Sequence, residues 1–375
     1  MTYVYDDAAN RRLTNVLNSL TDDLVERLNP HTILLTGSLG RGEGAVKLRD
    51  EGLDPVSDCE LLILPLTPVG KRTADRVVAP YRNTHGIDID VSGVVKSIQL
   101  LTPLVHRMRP TIDNYDLRYG STLLYGRDYR ESMPSFNQEN IPPWEGFRLV
   151  FNRTTKLLSS EVNRAYWFDK LVLALRDAVL ISEERYSPSY DRRQRLFEMI
   201  DPQEFPVDAD TYRTLCEQAA DATERRRTCS LKYRSNEEIE LLIGLLEQVL
   251  VSLANVYLDE WPTDFYSFRR VFLECPLAQD YNRFPGRSPL IQNALSAGRH
   301  LWESRERPQM GPPMTNWSHD IYTAAPLAFA DRFGSDGTPS LRRVTERIVS
   351  RYHPYPHREP SVYDAFVTCW RRYCW

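Results

Sequence analysis

Two carboxylates two residues apart, Asp58 and Glu60, stand at the head of an apolar run, Leu61-Leu-Ile-Leu64. On a β-strand, residues i and i+2 face the same way, roughly 6–7 Å apart along the chain. That is near enough to hold one divalent cation or a pair of them. Upstream, Ile33-Leu-Leu-Thr36 runs straight into Gly37-Ser38 and a glycine-rich polar segment ending at Glu43. The pattern predicts a strand entering a tight turn, then a neighbouring strand carrying both carboxylates on one face. Further on, Gly86-Ile-Asp-Ile-Asp-Val-Ser92 alternates strictly, with Asp88, Asp90 and Ser92 on one side and Ile87, Ile89 and Val91 on the other. Two acidic strand edges of this kind offer metal binding and proton abstraction.

These strands need elements to hold them. Leu13, Val16, Leu17, Leu20, Leu24 and Leu28 form one stripe, which predicts a helix from about Asp7 to Leu28, closed by Asn29-Pro30. Residues 45–56 are polar and read as an irregular insertion, and Lys71 to Tyr81 can form a short helix. Asp116 to Gly126 reads as a short strand or hairpin ending in a glycine turn. After Met133, with Pro134, Pro142 and Pro143 as a linker, helical period dominates: Phe147–Leu158, Glu161–Ile181, Asp208–Ala222 and Glu237–Leu258 are the clearest cases. Ser235-x-x-Glu238 is a capping box for the last of them. Segments around 307–316 and 332–339 read as Pro/Gly-rich loops, before an aromatic, Arg-rich tail. The expected fold class is α+β. A mixed sheet with flanking helices occupies 1–132, and a larger all-helical bundle occupies 133–375.

Composition narrows the function. A 42% hydrophobic and 26% charged chain is ordinary for a globular protein, and a net charge of −4 argues against a general nucleic-acid binder. Lys occurs only at 47, 71, 96, 156, 170 and 232, and Arg supplies the other cations. The six cysteines include no C-x-x-C pair, so reduced thiols in a cytoplasmic protein are expected. The N-terminus is acidic and lacks an apolar signal region, and Glu247-Gln248 interrupts the most apolar stretch, so no membrane partner is expected.

Gly37-Ser38, then Asp58-x-Glu60, then Ile87-Asp88-Ile89-Asp90, in that order and each at a strand edge, resemble the polymerase-β-like nucleotidyltransferase superfamily. The version here is similar to the branch of minimal and antibiotic nucleotidyltransferases, and the likeness covers roughly the first third of the chain. It implies an NTP as co-substrate and Mg²⁺, with Mn²⁺ as the alternative, on Asp58, Glu60 and Asp88. Gly37 and Ser38 would cradle the β- and γ-phosphates. Asp88, with Asp90 as the alternative, would take the acceptor proton. Arg41 is either a phosphate contact or a surface arginine. In Tyr166-Trp-Phe-Asp-Lys170, Lys170 would reach the triphosphate from the second domain, and Tyr186-Ser-Pro-Ser-Tyr190 would border the acceptor pocket. Two features depart from the family pattern. The gap from Ser38 to Asp58 is long, with the surplus at 47–55, and Glu stands at position 60 where Asp is commoner.

The resemblance implies transfer of an NMP to a hydroxyl of a small-molecule acceptor, with pyrophosphate released and the helical domain capping the acceptor side. The competing functions are nucleotidylation of a protein or RNA, a degenerate nucleotide-binding protein, and a cyclic-oligonucleotide synthase.

Overall fold

The structure is a computed structural model that describes residues 2–49, 52–203, 207–258, 261–274, 317–334, 339–353, 356 and 359–374. It divides into two compact units. Unit 1 comprises Met1–Pro142, Glu184–Leu196 and Thr223–Leu231, and unit 2 comprises Pro143–Glu183, Phe197–Ala222 and Lys232–Trp375. The expected boundary at 132/133 is therefore displaced, and two short segments from the helical half belong to the first unit.

Unit 1 is built on a four-stranded mixed sheet. Its strands are β1 (Thr32–Thr36), β2 (Cys59–Leu64), β3 (Ile89–Ser92) and β4 (Thr122–Gly126), in the order β3-β2-β1-β4. Strand β1 runs antiparallel to both neighbours, whereas β2 and β3 are parallel. Strands β1 and β2 alternate between two cores, which is why they read as unbroken apolar runs. Ile33, Leu35, Leu61, Ile63, Ile89 and Val91 pack with Leu13, Leu17, Leu20 and Leu24 of α1 (Asp7–Leu28) and with Ala74 and Val78 of α2 (Pro68–His85). Leu34, Leu62 and Leu64 pack on the opposite face, with Leu100, Val105, Met108 and Met133.

Three local expectations are corrected. Residues 45–56 are no irregular insertion: Val46–Arg49 and Gly52–Pro55 pair as an antiparallel hairpin, with Val46 and Leu53 in the core. Its base is closed by Val56 and Ser57, whose N–H groups both donate to the Ala45 carbonyl at 2.8 and 2.9 Å. The helix expected at 71–81 runs from Pro68 to His85, with Pro80 inside it, because Thr67 caps its start and Gly86 its end. Asp116 lies not on a strand but in the helix Ile112–Tyr119, which Thr111 caps through the Asn114 N–H at 3.2 Å.

The described elements of unit 2 are helices, as the helical period predicted. The first two, Trp144–Leu157 and Arg164–Ser182, approach so closely that a Cβ on Gly146 would lie 3.1 Å from that of Ala178. Four helices escaped the periodicity reading: Phe265–Glu274, Trp317–Phe333, Pro339–Tyr352 and Val362–Tyr373. The last two replace part of an expected loop and the expected tail. The segment expected as a loop at 307–316, and Cys275, lie outside the described residues.

Helix Asn236–Leu258 is long and apolar enough to cross a membrane. Leu242, Leu245, Leu246, Val249, Leu250 and Leu253 nonetheless bury one stripe of it in unit 2. The two polar residues that interrupt its apolar run have structural partners: Glu247 caps the Phe265 N–H at 2.9 Å, and Gln248 accepts from the Thr211 hydroxyl at 2.7 Å. The capping box forms as its spacing predicted, with Ser235 N–H to Glu238 at 2.9 Å and Glu238 N–H to Ser235 at 3.2 Å.

His319 gives unit 2 a pH dependence. Its ring stacks on Phe272 at 5.2 Å, and its Nε2 lies 3.1 Å from the Phe272 carbonyl. Burial lowers its pKa to about 4 against an ordinary 6.5. The neutral imidazole is thus favoured in the fold, and the stability it confers is complete above pH 6.5. That stability drains away as pH falls toward 4, by about 3 kcal/mol in total. Urea denaturation at pH 7 and pH 4.5 should show this loss in the parent, and a smaller one in His319→Gln.

Candidate active site

Strand β1 delivers the chain to Gly37, which opens a four-residue helical turn, Gly37–Gly40. Gly37 has φ +66°, and a Cβ there would lie 2.9 Å from a carboxylate oxygen of Glu60. The left-handed backbone conformation therefore favours glycine, whereas the Cβ contact meets only the movable end of the Glu60 side chain. Gly37→Ala should cost about 1–2 kcal/mol from the left-handed backbone alone. It should also push the Glu60 carboxylate aside. Denaturant titration reads the first effect and nucleotide turnover the second.

Register gathers the acidic residues. Thr36 pairs with Glu60 across β1 and β2, and Glu60 pairs with Asp90 across β2 and β3. In-register partners share a face, so Thr36, Glu60 and Asp90 form a row across three strands spaced roughly 4.8 Å apart. The Thr36 hydroxyl lies 3.2 Å from the Glu60 carbonyl and 3.4 Å from its carboxylate. One pleat away, Asp58 lies beside Asp88, whose carbonyl accepts the Cys59 N–H at 2.7 Å. Asp58 and Glu60 are half-buried, while Asp88 and Asp90 are exposed on the edge strand. Between the two acids of β2, Cys59 faces the opposite core, and burial, reinforced by Asp58 and Glu60, pushes its thiol pKa far up. That thiol is no nucleophile.

No protein-family model, curated protein or solved structure matches this chain.

The remaining site candidates sit differently from expectation. The buried Ser38 hydroxyl donates to Ser57 Oγ at 3.0 Å, and Ser57 Oγ accepts the Ala45 N–H at 2.9 Å. Ser38 thus staples the turn to the residue just before Asp58. Arg41 is neither a surface arginine nor an open phosphate contact. Its side chain is 8% exposed and pairs with Asp116 at 3.1 Å, with Glu43 at 3.8 Å. Burial pulls the Arg41 pKa down, but Asp116 and the tyrosines Tyr190 and Tyr186 outweigh it, so the net direction is up. Burial lifts Asp116 to about 6 against the pull of Arg41, Arg193 and the Tyr186 hydroxyl. Lys170 belongs to unit 2, where its ammonium stands 4.5 and 4.7 Å from the ring centroids of Tyr166 and Trp167.

Tyr186-Ser-Pro-Ser-Tyr190, expected to border an acceptor pocket, serves unit 1 as structure. Tyr186 donates to Asp116 at 3.2 Å, and Ser189 donates to Glu43 at 2.7 Å. Sequence reasoning missed Thr36, Glu43 and Asp116. Thr36 was within reach, because antiparallel pairing of the two strands puts it opposite Glu60. Glu43 and Asp116 carry no local signal, since their side-chain hydrogen-bond donors Ser189 and Tyr186 lie 70 or more residues away.

Among the described residues, no group of three or more His, Cys, Asp or Glu side chains is gathered as a metal site. The expected trio of Asp58, Glu60 and Asp88 is therefore not a preformed cage. The donor chemistry still suits Mg²⁺, which is often held by one or two carboxylates with substrate phosphates and water completing the shell. Glu60 and Asp90, side by side by register, are such a pair.

Proposed function

We propose that the chain is a nucleotidyltransferase moving an NMP from an NTP to a hydroxyl of a small-molecule acceptor, with a nucleotidyltransferase-type sheet in unit 1. One observation carries the reading: the row Thr36, Glu60 and Asp90, flanked by Asp58 and Asp88, lies against the turn that Gly37 opens in a left-handed conformation.

In this reading the first-turn N–H groups after Gly37, which the internal helix ladder leaves over, meet phosphate oxygens. Glu60 with Asp90, and Asp58 beside them, would hold Mg²⁺, which when bound neutralises phosphate charge and the departing pyrophosphate. Asp88, on the exposed edge strand, takes the proton of the acceptor hydroxyl. The acceptor oxygen bonds to the α-phosphorus as the bond from that phosphorus to the bridging α–β oxygen breaks. Pyrophosphate leaves with the bonding electrons. Thr36 steadies the Glu60 carboxylate through its hydroxyl.

A second reading, a nucleotide-binding protein without turnover, is favoured by Ser38 and Arg41 being committed to internal partners. Pyrophosphate release with each of the four NTPs, with and without Mg²⁺ or Mn²⁺ and with a small-molecule cell extract as the source of acceptor hydroxyls, separates the two. Metal-dependent release is expected with at least one NTP. Binding without release leaves the second reading, and neither binding nor release sinks both.

A further inference from the structure

Glu43 ends the glycine turn, because its N–H donates to the Ser38 carbonyl at 2.9 Å. Its carboxylate, on a residue only 7% exposed, reaches residues far along the chain. It accepts from the Ser189 hydroxyl at 2.7 Å, the Tyr190 N–H at 2.9 Å and the Asp191 N–H at 3.5 Å. Those donors surround the start of the helix Tyr190–Glu198. A protein carboxylate thus occupies a place where free N–H groups and the helix dipole attract an anion. Two residues earlier, Arg41 reaches the same segment by a second route, through Asp116 to the Tyr186 hydroxyl at 3.2 Å. The Arg41 guanidinium also lies 5.1 Å from the Tyr190 ring centroid. With Ser38 held by Ser57, each of the side chains of Ser38, Arg41 and Glu43 has a partner outside the turn.

We infer that Glu43 is a positioning residue: it fastens the Gly37–Glu43 turn to residues 189–191, so that the approach of Gly37 to Glu60 depends on a segment almost 150 residues away. The catalytic meaning of this rests on the proposed function, whereas the coupling itself does not. A purely stabilising contact would lower global stability and leave the turn as ordered as its surroundings. A positioning contact loosens the turn selectively, and the loss appears in nucleotide binding rather than in the chemical step.

The test uses full-length Glu43→Gln, the milder Ser189→Ala, and Val78→Ala as a control in the core behind the opposite sheet face. Amide hydrogen exchange should speed up about tenfold in peptides covering 37–44 and 189–195 when the charge-assisted bonds of Glu43 are lost. Val78→Ala should change those peptides no more than the rest of unit 1. With an NTP that the parent turns over in Mg²⁺, KM should rise about tenfold and kcat stay within about twofold. Faster exchange in the variants, with a parent that turns over no NTP, upholds the coupling and sinks the proposed function. Unchanged exchange at 37–44 in both Glu43→Gln and Ser189→Ala overturns the inference. So does faster exchange with KM unmoved. If Glu43→Gln fails to fold, Ser189→Ala, which removes the 2.7 Å bond to Glu43 together with the 3.2 Å bond from the Arg192 N–H to the same hydroxyl, carries the readout at 37–44.

Discussion

On the proposed function, Asp58→Ala combined with Glu60→Ala should reduce metal-dependent pyrophosphate release by about 10³-fold or more, equivalent to roughly 4 kcal/mol of transition-state stabilisation. Glu60 sits at the crossing of the row, paired with Thr36 on one side and Asp90 on the other, so its removal breaks the arrangement at its centre. Both residues are half-buried and neither belongs to an apolar core, so the double variant should keep its fold. Circular dichroism checks that point, and the activity assay reads the loss. Single variants should rank Glu60→Ala above Asp88→Ala, because Asp88 stands one pleat from the row. Equal turnover by the double variant and the parent would remove the carboxylates from the chemistry.

Asp320→Ala should have the largest effect on stability. Asp320 gathers Arg269, Arg351 at 2.9 Å and the Tyr352 hydroxyl at 2.8 Å, joining three helices of unit 2. Burial already pulls the Arg269 pKa down, so taking away its carboxylate leaves a desolvated cation uncompensated. The Arg269 and Arg351 side chains keep 22% and 28% of their exposure, which puts the cost at the low end of the range for a broken buried pair, about 3 kcal/mol. Urea denaturation measures it. Asp320→Asn, which keeps the shape and one acceptor oxygen, should lose less. A loss below about 0.5 kcal/mol in Asp320→Ala would class the cluster with surface ion pairs.

How far the residues themselves announced this protein can be judged element by element. The Leu13–Leu28 stripe, the alternation through Asp88 and Asp90, and the Ser235/Glu238 capping box are local patterns, and each produced the expected helix, strand or cap. The hairpin at 46–55 was hidden because its sequence is polar, yet Val46 and Leu53 suffice to seat it on the core. Of the strand or hairpin expected at 116–126, residues 122–126 form β4, whereas 116–119 finish the helix Ile112–Tyr119 that Thr111 caps. Arg41 was read as surface or phosphate contact because nothing near it in sequence suggests Asp116, 75 residues away.

By itself, then, the sequence determined the elements with a strong local pattern and which face of β2 and β3 carries carboxylates, because side-chain alternation and helical period are properties of a few neighbouring residues. Only tertiary structure decided which carboxylates stand together. The parallel register of β2 and β3 puts Asp90 beside Glu60 and Asp88 beside Asp58, a choice that alternation within one strand leaves open. Tertiary structure also decided that Ser38, Arg41 and Glu43 are held by Ser57, Asp116 and Ser189, since burying a polar group requires a partner and the chain supplied each from a distance.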